Sequence, residues 1–291
     1  MIECRMKFNK IYIELTNICG LSCDFCPTKI LQNQTIPLDK FDKLLNEVKK
    51  YTNIITFHVF GDPLVLQNLE KYLDIAHKYK LKVELVTTGY YLHKFNTNTF
   101  LHDAIKQINF SINSFNKNDM KMALDEYLEP MFKLCDEKLK QNKNFFINFR
   151  LWNLDNMQSE DKFNQEVFNK LQDKFNIDLK DAKTTSSIRL ANKILIDFDT
   201  YFTWPSLTST NNTNGTCYGL KSHFAILASL KVVPCCLDSY GCIELGNLNT
   251  QSLESILNNK RTTNIINGFK NNIAVEELCK KCEFKHRFEN K

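Results

Sequence analysis

The chain has 291 residues, of which 43% are hydrophobic and 24% are charged, and its net charge is +5 with both signs dispersed. This composition is typical of a globular protein with room for one large domain and a smaller one. It predicts no nucleic-acid partner, because no stripe of basic residues with interleaved aromatics is present. No apolar run is long enough for a membrane span and the N-terminus has no signal-peptide pattern, so we expect a cytoplasmic protein.

Strand and helix patterns alternate along the first two thirds of the chain. The predicted strands are residues 11–15, 54–60, 82–87, 108–112, 145–151 and 194–198. The predicted helices between them start at Pro37 and Leu69 and continue with residues 100–105, 120–140 and 160–175, with a break at Pro130. This alternation predicts an α/β fold with a parallel sheet and right-handed crossovers. In such folds the functional residues follow the carboxyl ends of the strands.

Three cysteines lie close together directly after the first predicted strand. Residues 16–27 read TNICGLSCDFCP, which places Cys19, Cys23 and Cys26 in a CxxxCxxC spacing. Three thiolates on one loop can bind three irons of a [4Fe-4S] cluster and leave the fourth iron open for a ligand. Buried cysteines or structural zinc are the alternatives, but structural zinc usually has four ligands in two close pairs.

This loop resembles the CxxxCxΦC signature of radical S-adenosylmethionine (radical SAM) enzymes, with Phe25 as the aromatic residue. The resemblance implies that the three cysteines ligate a [4Fe-4S] cluster whose open iron binds the amino and carboxylate groups of S-adenosylmethionine. It also implies that one electron splits this cofactor, and that the resulting 5′-deoxyadenosyl radical takes a hydrogen atom from a substrate. The implied fold is a partial (β/α)6 barrel, which we expect over residues 8–205.

Two further elements after predicted strands resemble cofactor-binding elements of this family. Phe60-Gly61-Asp62-Pro63 resembles the GGEP element, which binds the methionine ammonium, although Phe60 and Asp62 replace its first glycine and its glutamate. Thr87 and Thr88 resemble the ribose-contacting TNG element, with Thr88 where asparagine is common. A structural turn and a helix cap are the alternatives.

Polar residues at the ends of the next two strands complete the predicted cofactor site. Ser111 and Asn113 lie two residues apart and so share one face of a strand. Together with Arg150 they would suit the methionine carboxylate and the ribose, since arginine offers two parallel donors to a carboxylate. A surface salt bridge is the alternative for Arg150.

The second group of cysteines follows a polar segment, SLTSTNNTNGT at residues 206–216, which we interpret as a flexible linker. Six of the eleven cysteines lie between Cys217 and Cys282, whereas Cys4 and Cys135 stand alone. A predicted hairpin at residues 223–234 and two short helices, at 252–257 and 261–269, would bring several of the six together. A CxxC pair plus two more cysteines makes a four-thiolate site, which suits zinc and an iron-sulfur cluster equally.

The pattern of Cys217, KVVPCC, LGNL and CKKC resembles the SPASM/Twitch extension of radical SAM enzymes, which carries auxiliary [4Fe-4S] clusters. The resemblance implies that Cys217, Cys235, Cys279 and Cys282 ligate one auxiliary cluster in a domain over residues 217–291. The cysteines for a second auxiliary cluster are missing, so this small hairpin-plus-helix domain is shortened. Cys236 or Cys242 could replace one of the four.

Together these resemblances imply an enzyme that cleaves S-adenosylmethionine and modifies a small molecule or a peptide. They also imply a flavodoxin- or ferredoxin-type electron donor. The alternative is a non-catalytic zinc or iron-sulfur scaffold, or a redox-sensing protein, in which the loop cysteines are structural.

Overall fold

The computed structural model describes residues 6–118, 120–152, 160–179, 185–209 and 214–288, and within them ten strands form one sheet. The strands are β1 (Ile11–Ile13), β2 (Ile54–Phe57), β3 (Lys82–Thr87), β4 (Ile105–Ser111), β5 (Phe146–Leu151), β6 (Ser187–Ala191), β7 (Ile194–Phe198), β8 (Ala225–Ile226), β9 (Lys231–Val233) and β10 (Gly246–Asn247). Their order across the sheet is β10-β9-β8-β1-β2-β3-β4-β5-β7-β6. The six predicted strands correspond to β1 to β5 and β7, which are parallel neighbours, so the α/β prediction with a parallel sheet is confirmed.

Helices connect the parallel strands and cover the outer face of the sheet. They are α1 (Leu38–Val48), α2 (Leu69–Lys78), α3 (Asn113–Asn116), α4 (Leu124–Lys140), α5 (Asp161–Phe175), α6 (Leu253–Leu257), α7 (Lys260–Lys270) and α8 (Glu277–Lys280). Shorter 3₁₀ helices are Pro63–Val65, Leu92–Lys94, Thr97–Leu101 and Glu283–Phe288. Three predictions were wrong. Ile105 begins a strand rather than ending a helix, and Pro130 lies inside α4 without a break. Asn113 begins α3 and so does not share a strand face with Ser111, where β4 ends. None of the described helices is long and apolar enough to cross a membrane.

The two faces of the parallel strands have opposite character. Ile11 and Ile13 point to the helices and are fully buried, as strand alternation requires. Tyr12 between them lies on the opposite face, where Glu84 of β3 and Arg150 of β5 also line a central cavity. The sheet therefore has an apolar core under its helices and a polar inner face.

The C-terminal hairpin extends this same sheet. Strand β8 pairs in parallel with β1, and β9 and β10 follow as antiparallel neighbours. Glu14 holds the junction, since its buried carboxylate accepts hydrogen bonds from the backbone N–H groups of Phe60 (3.1 Å) and Ala228 (3.0 Å). The cysteine-rich segment is thereby placed beside the loop that follows β1.

The predicted linker at 206–216 is only partly described. Its last residues are attached to the C-terminal helices, because the Gly215 N–H donates to the Asn272 carbonyl (3.0 Å) and the Thr216 hydroxyl donates to that of Phe269 (3.1 Å). Residues 210–213 lie outside the described ranges. The boundaries at 205 and 217 stay predictions.

Candidate functional site

The loop after β1 holds the first three cysteines in a compact turn. Cys23 is buried and Cys19 and Cys26 are half-buried, and the Cys26 N–H donates to the Cys23 carbonyl at 3.1 Å. All three line the central cavity. The structure therefore brings together the three residues that the spacing predicts as cluster ligands, on the cavity side of one loop.

Close backbone contacts fix the shape of this loop. A Cβ atom on Gly61 would lie 2.0 Å from the Thr16 carbonyl oxygen, so only glycine lets these segments approach. Next to this contact, the Asp62 N–H donates to the Ile18 carbonyl (2.9 Å). Within the loop, Gly20 has φ +81° and a Cβ there would lie 2.0 Å from the Tyr91 hydroxyl oxygen. Gly61 thus acts as a spacer that fits the loop against the segment after β2.

Asn118 contacts both the backbone and a thiol of the cysteine loop. Its side-chain oxygen accepts from the Ser22 N–H (2.8 Å), and its side-chain nitrogen donates to Cys23 Sγ (3.0 Å) and to the Ser114 carbonyl (2.8 Å). The preceding residue, Lys117, forms an ion pair with Asp24 at 3.6 Å. Sequence reasoning missed Asn118, because no motif surrounds it and 95 residues separate it from Cys23.

The thiols of the loop have different proton affinities. Burial raises the pKa of Cys19 to about 12. A hydrogen bond with the Cys26 thiol lowers the pKa of Cys23 to about 7, and the same contact raises the pKa of Cys26. Because metal ligation requires thiolates, binding at this loop must release protons from Cys19 and Cys26 at neutral pH.

The predicted cofactor residues after β2 and β3 form one hydrogen-bonded group. The Asp62 carboxylate is buried and accepts from the Thr87 hydroxyl (2.8 Å), from the Thr88 hydroxyl (2.7 Å) and from the Thr88 (2.8 Å) and Leu64 (2.9 Å) N–H groups. Burial raises the pKa of this carboxyl group. Asp62, Thr87 and Thr88 therefore lie together at the cavity wall, and their described side-chain contacts bind them to one another.

The remaining predicted cofactor residues also line the cavity: Phe25, Gly61, Ser111, Asn113 and Arg150. The Phe25 ring lies 5.3 Å from that of Tyr201, centroid to centroid. The Arg150 guanidinium lies 4.9 Å from the centre of the Trp152 ring. Their roles stay predictions, but the structure places all of them on one surface.

The second cysteine group comes from three segments. Cys217 follows the predicted linker, Cys235 follows β9, and Cys279 and Cys282 lie in and after α8. Burial raises the pKa of Cys235 far above its ordinary value, and the electrostatic effects of Cys236, Cys217, Cys279 and Cys282 add to it. All four line the same cavity as the loop cysteines. This proximity supports the predicted ligand set.

The two spare cysteines of this region differ from each other. Cys236 lines the same cavity and forms a hydrogen bond with the Tyr12 hydroxyl on β1. Cys242 is exposed, and its N–H donates to the Asp238 carboxylate at 2.8 Å. Cys135 is fully buried in α4, as predicted for a core residue, and Cys4 lies outside the described residues.

Within the described ranges, no three His, Cys, Asp or Glu side chains converge closely enough to hold a single metal ion. A single zinc draws its thiolate sulfurs to within about 4 Å of one another. A [4Fe-4S] cluster is itself a cube of irons and sulfides, which separates its thiolates more widely. Eight cysteines line the cavity, three on the loop and five between Cys217 and Cys282, and this donor set suits such clusters.

One cavity of about 340 Å³ connects the two cysteine groups. Aromatic side chains from the segment after β7 and from the C-terminal 3₁₀ helix line it between them. The Phe202 ring lies 5.7 Å from that of Trp204 and 5.1 Å from that of Phe284, and Phe284 lies 5.6 Å from Phe288. The inner strand face provides the opposite, polar wall.

Comparisons with known proteins agree with this arrangement. The family model of the SPASM domain, described as an iron-sulfur cluster-binding domain, matches residues 217–283. No curated protein sequence matches the chain.

Several solved structures are similar over nearly the whole chain. BtrN in complex with AdoMet and 2-DOIA has a TM-score of 0.62 at 16% identity, covering 96% of this chain and 94% of its own. SuiB of Streptococcus suis, bound to precursor peptide SuiA, has 0.59 at 16% identity, covering 95% and 71%. The AdoMet-bound anSMEcpe structure has 0.55 at 15% identity, covering 95% and 86%.

The chain thus has the fold of radical SAM enzymes and carries a SPASM domain at its C-terminal end. The predicted radical SAM fold is confirmed, with a sheet whose two edges, β10 and β6, do not pair with each other. The prediction of an iron-sulfur extension is confirmed as well.

Proposed function

We propose that the protein is a radical SAM enzyme with one auxiliary cluster. In this proposal Cys19, Cys23 and Cys26 bind a [4Fe-4S] cluster, and Cys217, Cys235, Cys279 and Cys282 bind the second one. When bound, the first cluster and S-adenosylmethionine supply reductive cleavage and a 5′-deoxyadenosyl radical that abstracts hydrogen from a substrate. The observation that carries the proposal is the single cavity that both cysteine groups line.

The chain's own residues would position the cofactor and shape its pocket. Asp62, fixed by Thr87 and Thr88, forms part of the cavity wall that the cysteine loop also lines, and its carboxylate would bind the methionine ammonium. Gly61, next to Asp62, packs closely against the backbone of Thr16 and so fixes the position of this segment. Phe25, Ser111 and Asn113 border the same space.

The auxiliary site would lie across the cavity from the loop. A cluster there can accept an electron from a substrate radical, or it can hold and orient the substrate. The four thiols are buried or half-buried, and burial keeps water away from such a centre. The aromatic wall between the two sites then shields a reactive intermediate from solvent.

The substrate in this proposal is a small molecule or a peptide. Two proteins with this fold were solved with ligands of both kinds, BtrN with 2-DOIA and SuiB with a precursor peptide. A flavodoxin- or ferredoxin-type protein would deliver the electron, as the resemblance to the family implies.

The test is anaerobic reconstitution followed by iron and sulfide analysis and an assay for 5′-deoxyadenosine with dithionite and S-adenosylmethionine. We expect about eight irons in the wild type and about four in a Cys19/Cys23/Cys26→Ala triple variant, at four irons per cluster. The triple variant should form no 5′-deoxyadenosine. Cys242→Ala serves as the control, because this exposed cysteine lies outside the cavity lining, and it should retain both the iron and the activity.

Two results would contradict the proposal. Zinc in place of iron and sulfide would support the metal-bound scaffold instead. A fully loaded wild type that does not cleave S-adenosylmethionine would support a redox-sensing protein with the same clusters.

A further inference from the structure

Four cationic side chains line the central cavity: Lys10, Arg150, Lys285 and Arg287. Three of them have partners. Lys10 forms an ion pair with Glu84, Arg287 pairs with the Asp199 carboxylate (3.1 Å) and the Thr200 carbonyl (3.2 Å), and Lys285 donates to the carbonyls of Cys279 (3.2 Å) and Lys280 (2.8 Å). Arg150 differs from the others in this respect.

The Arg150 guanidinium forms no hydrogen bond or ion pair with any residue that the structure describes. It lies 4.9 Å from the centre of the Trp152 ring, a cation–π contact that supplies no hydrogen-bond acceptor. Asp197 lies opposite in register on β7, yet no ion pair links the two side chains. A guanidinium stays protonated in proteins, and here the carboxylates of Asp197, Glu84 and Asp199 act on it electrostatically without a hydrogen bond or ion pair to it. The side chain therefore presents unused donors to the cavity.

Arg150 lies on the inner face of the sheet, on β5, between Ser111 of β4 and Asp197 of β7 in register. It lines the cavity together with both cysteine groups. The Asp62 group lies on the segments after β2 and β3, and β4 separates β3 from β5 in the sheet. Arg150 is therefore on a part of the cavity wall separate from the Asp62 group.

We propose that Arg150 binds an anionic group of the substrate, a carboxylate or a phosphate. This inference rests on the proposed function of the same cavity. The planar fork of donors matches either group in a bidentate manner. The aromatic wall of Phe202, Trp204 and Phe284 would then contact an apolar or ring-shaped part of the same molecule. Sequence analysis placed Arg150 with the methionine carboxylate of the cofactor, so the two assignments are distinguished by experiment.

The test uses reconstituted holoenzyme loaded with S-adenosylmethionine, with acetate and inorganic phosphate as probes. The dependence of the unfolding temperature on probe concentration gives an apparent Kd, with potassium chloride at equal ionic strength as the reference. We expect Arg150→Gln to weaken probe binding by about tenfold or more, the typical effect of losing a charged hydrogen-bond pair. Arg150→Lys should retain part of the binding. Arg287→Gln is the matched control and should bind the probes as the wild type does, because Arg287 already has a partner.

Equilibrium dialysis with S-adenosylmethionine on the same variants completes the test. The expected result is an affinity within about twofold of the wild type, since no carboxylate of the cofactor would depend on Arg150. A tenfold loss of cofactor affinity with unchanged probe binding would overturn the inference and return Arg150 to the cofactor. Equal probe binding by the wild type and both Arg150 variants, or none by the wild type, would also overturn it. Cleavage of S-adenosylmethionine by the wild type is measured separately. A wild type that binds the probes but does not cleave the cofactor would contradict the proposed function and not the role of Arg150.

Discussion

The two cysteine groups face one cavity, but the fold holds them in different ways. The first three cysteines lie on a single loop, and side chains from elsewhere, such as Asn118, fix that loop from outside. The other four come from separate segments that meet only when the hairpin has joined the sheet beside β1. A cluster whose cysteine ligands all lie on one loop has one side open to another ligand. A cluster whose ligands come from several segments can be surrounded by protein.

The difference predicts different sensitivities. The loop site should depend on a few contacts near residues 16–27, and the C-terminal site should depend on the hairpin and on the buried Lys285 beside Cys279. Variants that disturb one site and spare the other would sharpen this comparison, and variants that disturb both equally would weaken it.

The largest effect is expected from Gly61→Ala. Its Cβ would lie 2.0 Å from the Thr16 carbonyl oxygen, so the backbone of the loop must move. We expect a loss of about 3 kcal/mol in the free energy of unfolding, in the range of overpacked sites, and loss of the loop-bound iron with the C-terminal iron retained. Guanidinium titration and iron analysis measure the two effects.

Gly246→Ala is the matched control for this change. The three atoms nearest to its Cβ would all belong to side chains, with Ile256 at 2.6 Å and Gln251 at 2.7 Å, and none would be a backbone atom. Its cost should be smaller. Equal destabilisation by the two variants, or unchanged iron in Gly61→Ala, would show that the close contact does not shape the loop.

A second prediction concerns Glu14, which joins the loop region to the hairpin. Burial raises the pKa of its carboxyl group from 4.5 to about 7. The folded state therefore binds a proton that the unfolded state has lost, so its contribution to stability is complete below pH 4.5 and disappears as the pH rises through 7. At about 1.4 kcal/mol for each pH unit, the difference amounts to about 3 kcal/mol at most.

Glu14→Gln removes the titrating group. Comparison with the wild type therefore separates the effect of Glu14 on the free energy of unfolding from that of other buried carboxyl groups, such as Asp62. Unfolding free energies at pH 5 and pH 7.5 should show a larger decrease for the wild type than for the variant. The glutamine retains only one acceptor for two N–H donors, so at pH 5 the variant should also be less stable by about 2 kcal/mol. Parallel pH profiles for the two proteins would mean that Glu14 titrates normally.

Much of the architecture could be predicted because it follows local patterns. The parallel strands are short apolar runs flanked by turns, and β3 (Lys82–Thr87) and β7 (Ile194–Phe198) have the predicted bounds. Strand β6 was missed, because it is a short and partly exposed edge strand in which only Ile188 and Leu190 alternate with polar residues. The cysteine loop was identified from the spacing of its cysteines, because this spacing is a local property that does not depend on contacts with the rest of the chain.

The contacts that hold the site could not be predicted in the same way. Glu14 binds the N–H of Ala228, which is 214 residues away, and no local pattern indicates such a pair. The Thr88 hydroxyl donates to Asp62, a contact that no local pattern indicates, and its predicted contact with the ribose stays a prediction. Among the described residues, the lack of a hydrogen-bond partner for Arg150 likewise depends on side chains from other strands. Residue type and spacing identify which groups matter, and the three-dimensional contacts determine what each of them faces.

The smallest effect is expected from Asn118, and it would separate the two clusters most cleanly. Asn118→Asp keeps an acceptor for the Ser22 N–H but removes the donor to Cys23 Sγ and adds a negative charge. The midpoint potential of the loop-bound cluster should become more negative, on the order of 50 mV, which corresponds to about 1 kcal/mol for one electron. EPR-monitored redox titration of reconstituted protein measures both clusters in one sample.

The C-terminal cluster is the internal reference for that titration. Because Asn118 contacts the cysteine loop, the midpoint potential of the C-terminal cluster should not change. Asn68→Ala serves as the matched control, since Asn68 is exposed and caps α2 without a side-chain hydrogen bond. A shift of both potentials, or of neither, would contradict the role of Asn118 as a positioning residue. A shift of the loop-bound cluster alone would show that its thiolates are tuned by a side chain from the segment after β4, which no spacing of cysteines reveals.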